Sequence, residues 1–382
     1  MIEPFASRPS PKLVCGPGRL RELPACVREA GGSGVFLVSD AGIVRAGHVA
    51  VAVRLLEAAG IPVTVYAGTK ENPTESDAAA CRDAARSAKF DCLVALGGGS
   101  SLDTAKAGNF LLTNGGAMRD YQGYGKAIKP MLPLIAVPTT AGTGSECQSY
   151  ALVSRDDTHE KMACGDPGAR ARIAILDPEL TSTQPRSVAV QTGLDALAHA
   201  LESAVSTARN PLSDLYSEGA FRHLARSIGR VIDGTPTADD RAGMQLGAAF
   251  AGLAIENSML GAAHATANPL TARQGMVHGH AVALMLPHVM RMNSSEPASA
   301  AVYHRFANLL VEAGRTPPSL IEWVEELVAR SGVVAPDPAA LDVAALAADA
   351  ARQWTGKFNP RPLQVEDAVE LYRRALGTHA RS

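Results

Sequence analysis

Residues 91–106, DCLVALGGGSSLDTAK, constrain the fold more than any other stretch of this chain. An apolar run of strand length passes without a break into Gly97, Gly98, Gly99 and Ser100, and then into helix-forming residues. A strand that feeds a helix through glycines is the repeating unit of a parallel α/β sheet. The glycines let the backbone approach a ligand with no Cβ in the way. The first N–H groups of the following helix favour an anion such as phosphate. Neither G-x-x-x-x-G-K-[ST] nor G-x-G-x-x-G occurs here, and a tight turn with no ligand has the same composition.

Similar units surround it. Residues 34–39 (GVFLVS), 62–66 (PVTVY) and 133–137 (PLIAV) read as further strands. Residues 43–60 and 74–87 have helical spacing, with Val49, Val53 and Leu56 on one stripe. The strand at 133–137 runs into PTTAGTGSE at 138–146, whose hydroxyls and glycines suit ligand contact, although a surface loop would look alike. Asp40 closes the first strand. It can accept hydrogen bonds from a ribose and repel a 2′-phosphate, or simply form a turn.

From about Pro185 onward the strand pattern ends. Residues 191–205, 238–267, 298–313, 319–330 and 365–376 read as Ala- and Leu-rich helices. The expected organisation is α/β plus all-α. A Rossmann-like parallel-sheet nucleotide-binding domain at 1–183 precedes an all-helical metal-binding domain at 184–382, with the cleft between them as the default site. At about 100–200 residues per domain, a chain of 382 residues fits two.

Composition excludes several partners. Lys and Arg number 36 against 38 Asp and Glu, so no net field recruits nucleic acid or an anionic membrane. Aromatics are 4%, too few for base-stacking platforms, so the core is expected to rely on aliphatic side chains and close Ala and Gly packing. Cys15, Cys26, Cys81, Cys92, Cys147 and Cys164 form no C-x-x-C pair, which suits a reducing cytoplasm. The first residues lack the pattern of a secretory signal, and no apolar run reaches the roughly 20 residues that span a bilayer.

The helical half holds a second pattern. In GLDALAHALE, Asp195 and His199 stand four apart, on one helix face. His264 lies in GAAHATANPL and His278 in MVHGHAVALMLPH. One carboxylate with up to three imidazoles suits Fe2+ or Zn2+, and ligand type alone does not choose between them. A lone His on an apolar helix is more often a hydrogen-bonded core residue, Asp195 could be a buried, paired carboxylate, and spacing alone does not make the three segments converge.

GGGSSLDTAK, PTTAGTGSE, GLDALAHALES and HG-x-A followed by LMLPHVMRMN stand in the order and approximate spacing of the iron-containing (group III) alcohol dehydrogenases. Asn359-Pro360-Arg361 and ELYRRAL resemble that family's C-terminal end, so the resemblance covers essentially the whole chain. It implies a dehydroquinate synthase-like architecture and hydride transfer between NAD(H) and a small alcohol or aldehyde, with a divalent metal as Lewis acid. It implies that Gly97, Gly98, Gly99 and Ser100 hold the pyrophosphate and that Asp103 lies near the cofactor. Thr139, Thr140, Thr143 and Lys161 would touch nucleotide or ribose, and Asn72 would sit by the adenine. Asp40 matches the acidic residue that favours NAD over NADP. Asp195, His199, His264 and His278 match the metal ligands.

Two departures concern proton transfer. Many relatives carry a His four residues after the third ligand, where this chain has Asn268. His280 follows His278 by two and is a candidate to take over part of the relay if that stretch bends; in a helix the two imidazoles point to different sides. Substrate-pocket candidates are Ser149, Tyr150, Ile255 and Met259. A homodimer or larger homo-oligomer is expected from the resemblance. The competing readings are a dehydroquinate-synthase-like lyase on the same fold and a catalytically weak assembly module.

Overall fold

The computed structural model describes residues 4–314, 316 and 318–377. They divide into two compact units, one within Pro9–Gln184 and the other formed by the described residues of 1–8 and 185–382.

Nine strands run along the first unit: β1 (Lys12–Cys15), β2 (Val35–Asp40), β3 (Val63–Thr69), β4 (Cys92–Gly97), β5 (Gly123–Tyr124), β6 (Leu134–Pro138), β7 (Tyr150–Ser154), β8 (Lys161–Gly165) and β9 (Ile173–Leu176). Its helices are α1 (Leu23–Glu29), α2 (Ala41–Arg45), α3 (His48–Ala58), α4 (Glu75–Arg86) and α5 (Gly99–Asn114). Six strands form one parallel sheet in the order β1-β9-β6-β4-β2-β3. The inner strands β4, β6 and β9 are buried along their whole length, which is why they read as unbroken apolar runs rather than alternating ones. On one face Leu37, Val94, Leu96, Ile135, Val137 and Ile175 pack with Leu23, Val27, Ala52 and Leu56 from α1 and α3. A second sheet, β5-β8-β7, packs its Val153, Met162 and Cys164 with Phe110 of α5 and Ala78 of α4.

The helical stretch expected at 43–60 is two helices. Gly47 adopts φ 86°, a left-handed turn that ends α2 and starts α3. The β7–β8 hairpin had no counterpart in the sequence reading.

The second unit holds α6 (Arg186–Val205), α7 (Pro211–Ile232), α8 (Ala238–Ser258), α9 (Ala262–Gln274), α10 (His278–Asn293), α11 (Pro297–Glu312), α12 (Leu320–Ser331), α13 (Val343–Arg352) and α14 (Val365–Ala375). Small residues fill its centre: Ala196, Ala198 and Ala200 of α6 and Ala248, Ala251 and Ala254 of α8 are all buried. The few aromatics are concentrated, with the Phe221 ring 4.8 Å from that of Phe306 and 5.7 Å from that of Trp323. The single helix expected at 238–267 is broken, with α8 and α9 meeting at 105°. The break falls at Met259, whose φ of 77° and ψ of 174° no helix accommodates. Among the described residues no single helix is long and apolar enough to cross a membrane. All six cysteines are free, five of them buried.

Candidate functional site

In the α/β unit, the two polar loops leave neighbouring strands. Gly97 of β4 pairs with Pro138 of β6, so residues 97–100 and 139–146 emerge side by side at the carboxyl end of the sheet. They interlock: a Cβ on Gly99 would lie 2.7 Å from the Thr143 methyl, and one on Gly98 would lie 3.2 Å from that of Thr140. Helix α5 begins at Gly99 with no side-chain cap, which leaves its first N–H groups open to an anion. Thr139 is buried and its hydroxyl has no hydrogen-bond partner. The Asn72 N–H donates to Ser100 Oγ at 3.3 Å from a left-handed backbone (φ 51°).

Asp40 caps a helix and is also tied to the glycine loop. Its Oδ1 accepts from the N–H groups of Gly42 and Ile43, at 2.8 and 3.0 Å, and so caps α2. Its Oδ2 accepts from Ser101 Oγ at 3.2 Å, which ties it to the glycine loop.

Asp103 is buried beneath the second loop, and its Oδ1 accepts from Ser145 Oγ at 2.8 Å. Burial raises its pKa against the opposing pull of Lys106, Ser145 and Lys161. Lys161, on β8, thus acts on Asp103 through charge. Lys106, which sequence reading did not single out, is fully buried. Its ammonium donates to Ser145 O and Oγ, Gln148 O and Tyr150 O at 2.7–2.9 Å, and so fastens the second loop to α5. Ser149 is buried in the same stretch. The Tyr150 ring lies 5.6 Å from that of Tyr124.

In the helical unit four expected residues come together. Asp195 and His199 project from one face of α6, His264 from the first turn of α9, and His278 starts α10. Three imidazole Nε2 atoms converge on Asp195 Oδ1, at 3.3 Å from His264, 3.5 Å from His199 and 3.9 Å from His278. The His199 and His264 rings stack at 4.9 Å, and those of His264 and His278 lie 5.5 Å apart. Asp195, His199 and His264 are buried, whereas the His278 side chain is 23% exposed.

Asp195 Oδ1 and His264 Nε2 are both buried with no hydrogen-bond partner. Buried polar atoms are seldom left so. Ligands about 2.1 Å from a tetrahedral ion stand about 3.4 Å from one another, so these separations fit a shared cation. Burial alone would raise the Asp195 pKa, but His199, His264 and His278 together hold it well below the ordinary carboxylate range. Burial would lower that of His264, but Glu202 and Asp195 push it up to about 9.

Glu202 was missed in sequence. Its carboxylate contacts His264 Nδ1, and its Oε1 accepts from the Ala263 N–H at 2.7 Å. Glu202 stands seven residues after Asp195 and three after His199, so the polar stripe on α6 carried the signal.

Asn268, four residues after His264, donates from its amide to Gln353 Oε1 at 3.0 Å. His280 lies in the first turn of α10, so the stretch is helical and the two imidazoles leave its axis about 200° apart. Burial lowers the His280 pKa. Ile255 is buried in α8, and Met259 forms the α8–α9 corner. These two belong to the helical unit, Ser149 and Tyr150 to the α/β unit.

Residues 10–178 match the family model for iron-containing alcohol dehydrogenase, and residues 189–376 match that for the C-terminal part of the Fe-containing alcohol dehydrogenase family. The chain is 34% identical over 313 residues to alcohol dehydrogenase 4 of Schizosaccharomyces pombe, covering 82% of this chain and 74% of that protein. It is 31% identical over 372 residues to lactaldehyde reductase of Escherichia coli K12, covering 94% and 96%. Sulfoacetaldehyde reductase from Bifidobacterium kashiwanohense, solved in complex with NAD+, has a similar structure with a TM-score of 0.87. That match is 26% identical and covers 99% of this chain and 100% of the other. The chain belongs to the iron-containing alcohol dehydrogenase family. It is an NAD-linked oxidoreductase of alcohols and aldehydes, as the motifs led us to expect.

Proposed function

We propose that the chain exchanges a hydride between NAD(H) and a small alcohol or aldehyde, with one Fe2+ or Zn2+ ion held by Asp195, His199, His264 and His278. The observation that carries this reading is the convergence of three Nε2 atoms on an Asp195 oxygen that has no hydrogen-bond partner. When bound, the ion supplies a Lewis acid for the substrate oxygen and the nicotinamide supplies the hydride acceptor.

The protein's own groups then have distinct tasks. Asp195 offsets part of the ion's charge, and the neutral imidazoles leave the centre net positive. His278, the most exposed of the four, marks the side from which a substrate approaches. Residues 97–100 and the start of α5 would hold the pyrophosphate. Asp40 would accept from ribose hydroxyls and disfavour NADP. Asn72, Thr139, Thr140 and Thr143 would line the nucleotide, with Asp103 and Lys161 supporting the loop beneath it. Ser149, Tyr150, Ile255 and Met259 are proposed to shape the substrate pocket. Two relatives named for lactaldehyde and sulfoacetaldehyde favour a small polar aldehyde as the reduced-direction substrate.

Asn268 cannot exchange a proton. Helical α10 turns His280 away from His278, which disfavours it as the replacement relay, and an unchanged pH–rate profile in a His280→Ala enzyme would exclude it. The proposal as a whole is tested by stripping the protein with a chelator and restoring Fe2+ or Zn2+. NADH formation is then followed with a panel of small alcohols, and NADH and NADPH consumption with aldehydes.

A further inference from the structure

Helix α6 carries a polar stripe through an apolar interior. Asp195, His199, Glu202 and the C-cap Ser206 follow at intervals of four, three and four residues, one helix face. All four are buried. The proposed metal centre accounts for Asp195 and His199, and Ser206 Oγ donates to Ser258 O at 2.6 Å. Glu202 lies beyond the ligands, only 3% exposed, where an ionised carboxylate is costly unless strong donors surround it.

Its donors come from the start of α9. Gly261, the N-cap of that helix, offers no side-chain acceptor. The Ala262 N–H instead donates to Asn359 Oδ1 at 3.2 Å, while those of Ala263 and His264 approach Glu202 Oε1 at 2.7 and 3.4 Å. The carboxylate is pressed against the backbone: a Cβ on Gly261 would stand 3.1 Å from Glu202 Oε1. The other oxygen, Oε2, meets His264 Nδ1.

A carboxylate only accepts. Its contact with Nδ1 therefore places the proton of a neutral imidazole on that nitrogen and leaves the Nε2 lone pair free. Nε2 is the atom that faces Asp195 Oδ1 at 3.3 Å. We propose that Glu202 is a positioning residue that fixes both the rotation and the tautomer of His264, so that Nε2 is presented to the metal. The inference rests on the proposed metal centre. One carboxylate thus caps α9 with Oε1 and holds the ring with Oε2. Carboxylate partners of this kind orient ligating histidines and raise their basicity.

Glu202→Gln separates the two tasks. Two backbone N–H groups point at Oε1, so the amide oxygen keeps that place and the amide NH2 faces Nδ1. A donor there requires a lone pair on Nδ1. The proton moves to Nε2, and the ligating pair is lost. The variant is expected to unfold near the wild-type temperature but to hold Co2+ or Zn2+ about 10–100-fold more weakly in competition with a chelator. The visible absorption of the Co2+-loaded form should change as well. Asn359→Ala, which removes a cap but no contact with the ring, is expected to lower the unfolding temperature and leave metal affinity within about twofold. In Zn2+-loaded wild-type protein carrying 15N-labelled histidine, NMR should find the His264 proton on Nδ1. This last readout needs no variant to fold.

A Glu202→Gln protein with wild-type metal affinity and spectrum overturns the positioning role while the centre stands, whereas a proton on Nε2 in the loaded wild type removes His264 from the centre and overturns the inference with it. A wild-type protein that takes up neither metal overturns the centre and this inference with it.

Discussion

Gly99 lies so close to Thr143 that a Cβ would come within 2.7 Å of the threonine methyl. One residue opens α5 and the other belongs to the loop after β6, so the contact sets the spacing of the two polar loops. Gly99→Ala must push them apart, and overpacking of this kind costs about 1–3 kcal/mol. We expect the KM for NAD to rise about tenfold or more, with metal content per chain unchanged. Steady-state kinetics beside metal analysis checks this, and an unaltered KM contradicts it.

Asp40 offers a cleaner substitution than its place at a helix start first implies. The α2 cap uses Oδ1 alone, so Asp40→Asn can keep the cap and lose the charge. The ratio of kcat/KM for NADP to that for NAD should rise by about tenfold, or roughly 1.4 kcal/mol. A fall in thermal stability with no change in that ratio would confine Asp40 to capping.

Glu146 provides a pH test. Burial pushes its carboxyl from 4.5 up to about 7, against the weaker pulls of its own backbone N–H and Lys106. The folded chain therefore holds this proton more tightly than the unfolded chain does. The group's contribution to stability is greatest below about pH 4.5 and is lost as pH rises through about 7. Glu146→Gln removes that loss. At about pH 8 the variant should be more stable than wild type, by at most about 3 kcal/mol. Near pH 4 the two should nearly coincide. Urea unfolding at both pH values gives the comparison, and parallel curves would contradict it.

Met259 sits at φ 77° and ψ 174°, a region almost confined to glycine. Met259→Gly relieves backbone strain of about 1–3 kcal/mol, offset in part by lost packing. Met259→Val adds a β-branch to the same strain. The valine variant should be less stable than the glycine variant by about 2 kcal/mol. Denaturant midpoints test the order, and the reverse order would mean that side-chain packing outweighs backbone strain at this corner.

Local features of this chain were readable in advance, and long-range ones were not. The run from β4 through Gly97–Gly99 into α5 declares itself, because a buried parallel strand, a glycine turn and a helix start each have their own composition. Asp195 and His199 were legible as a pair because they share one helix face. Glu202 was not. It looks like one acid in an Ala- and Leu-rich helix, and its partner His264 lies 62 residues away. The break at Met259 was hidden for a different reason: Asn257, Ser258 and Gly261 interrupt the pattern only briefly, between long Ala-rich stretches that read as one helix. Its conformation is held instead by tertiary bonds, Ser206 to Ser258 and Asn359 to Ala262.

The central claim is that Asp195, His199, His264 and His278 hold the ion on which hydride exchange depends. It is tested most directly by titrating chelator-stripped protein with Fe2+ or Zn2+ in the presence of NAD and a substrate alcohol, while following NADH. The account predicts no turnover without metal and a rise to a plateau at about one equivalent per chain, with Asp195→Ala inactive and metal-free throughout. Full turnover in the stripped protein, or undiminished metal binding by Asp195→Ala, would contradict it.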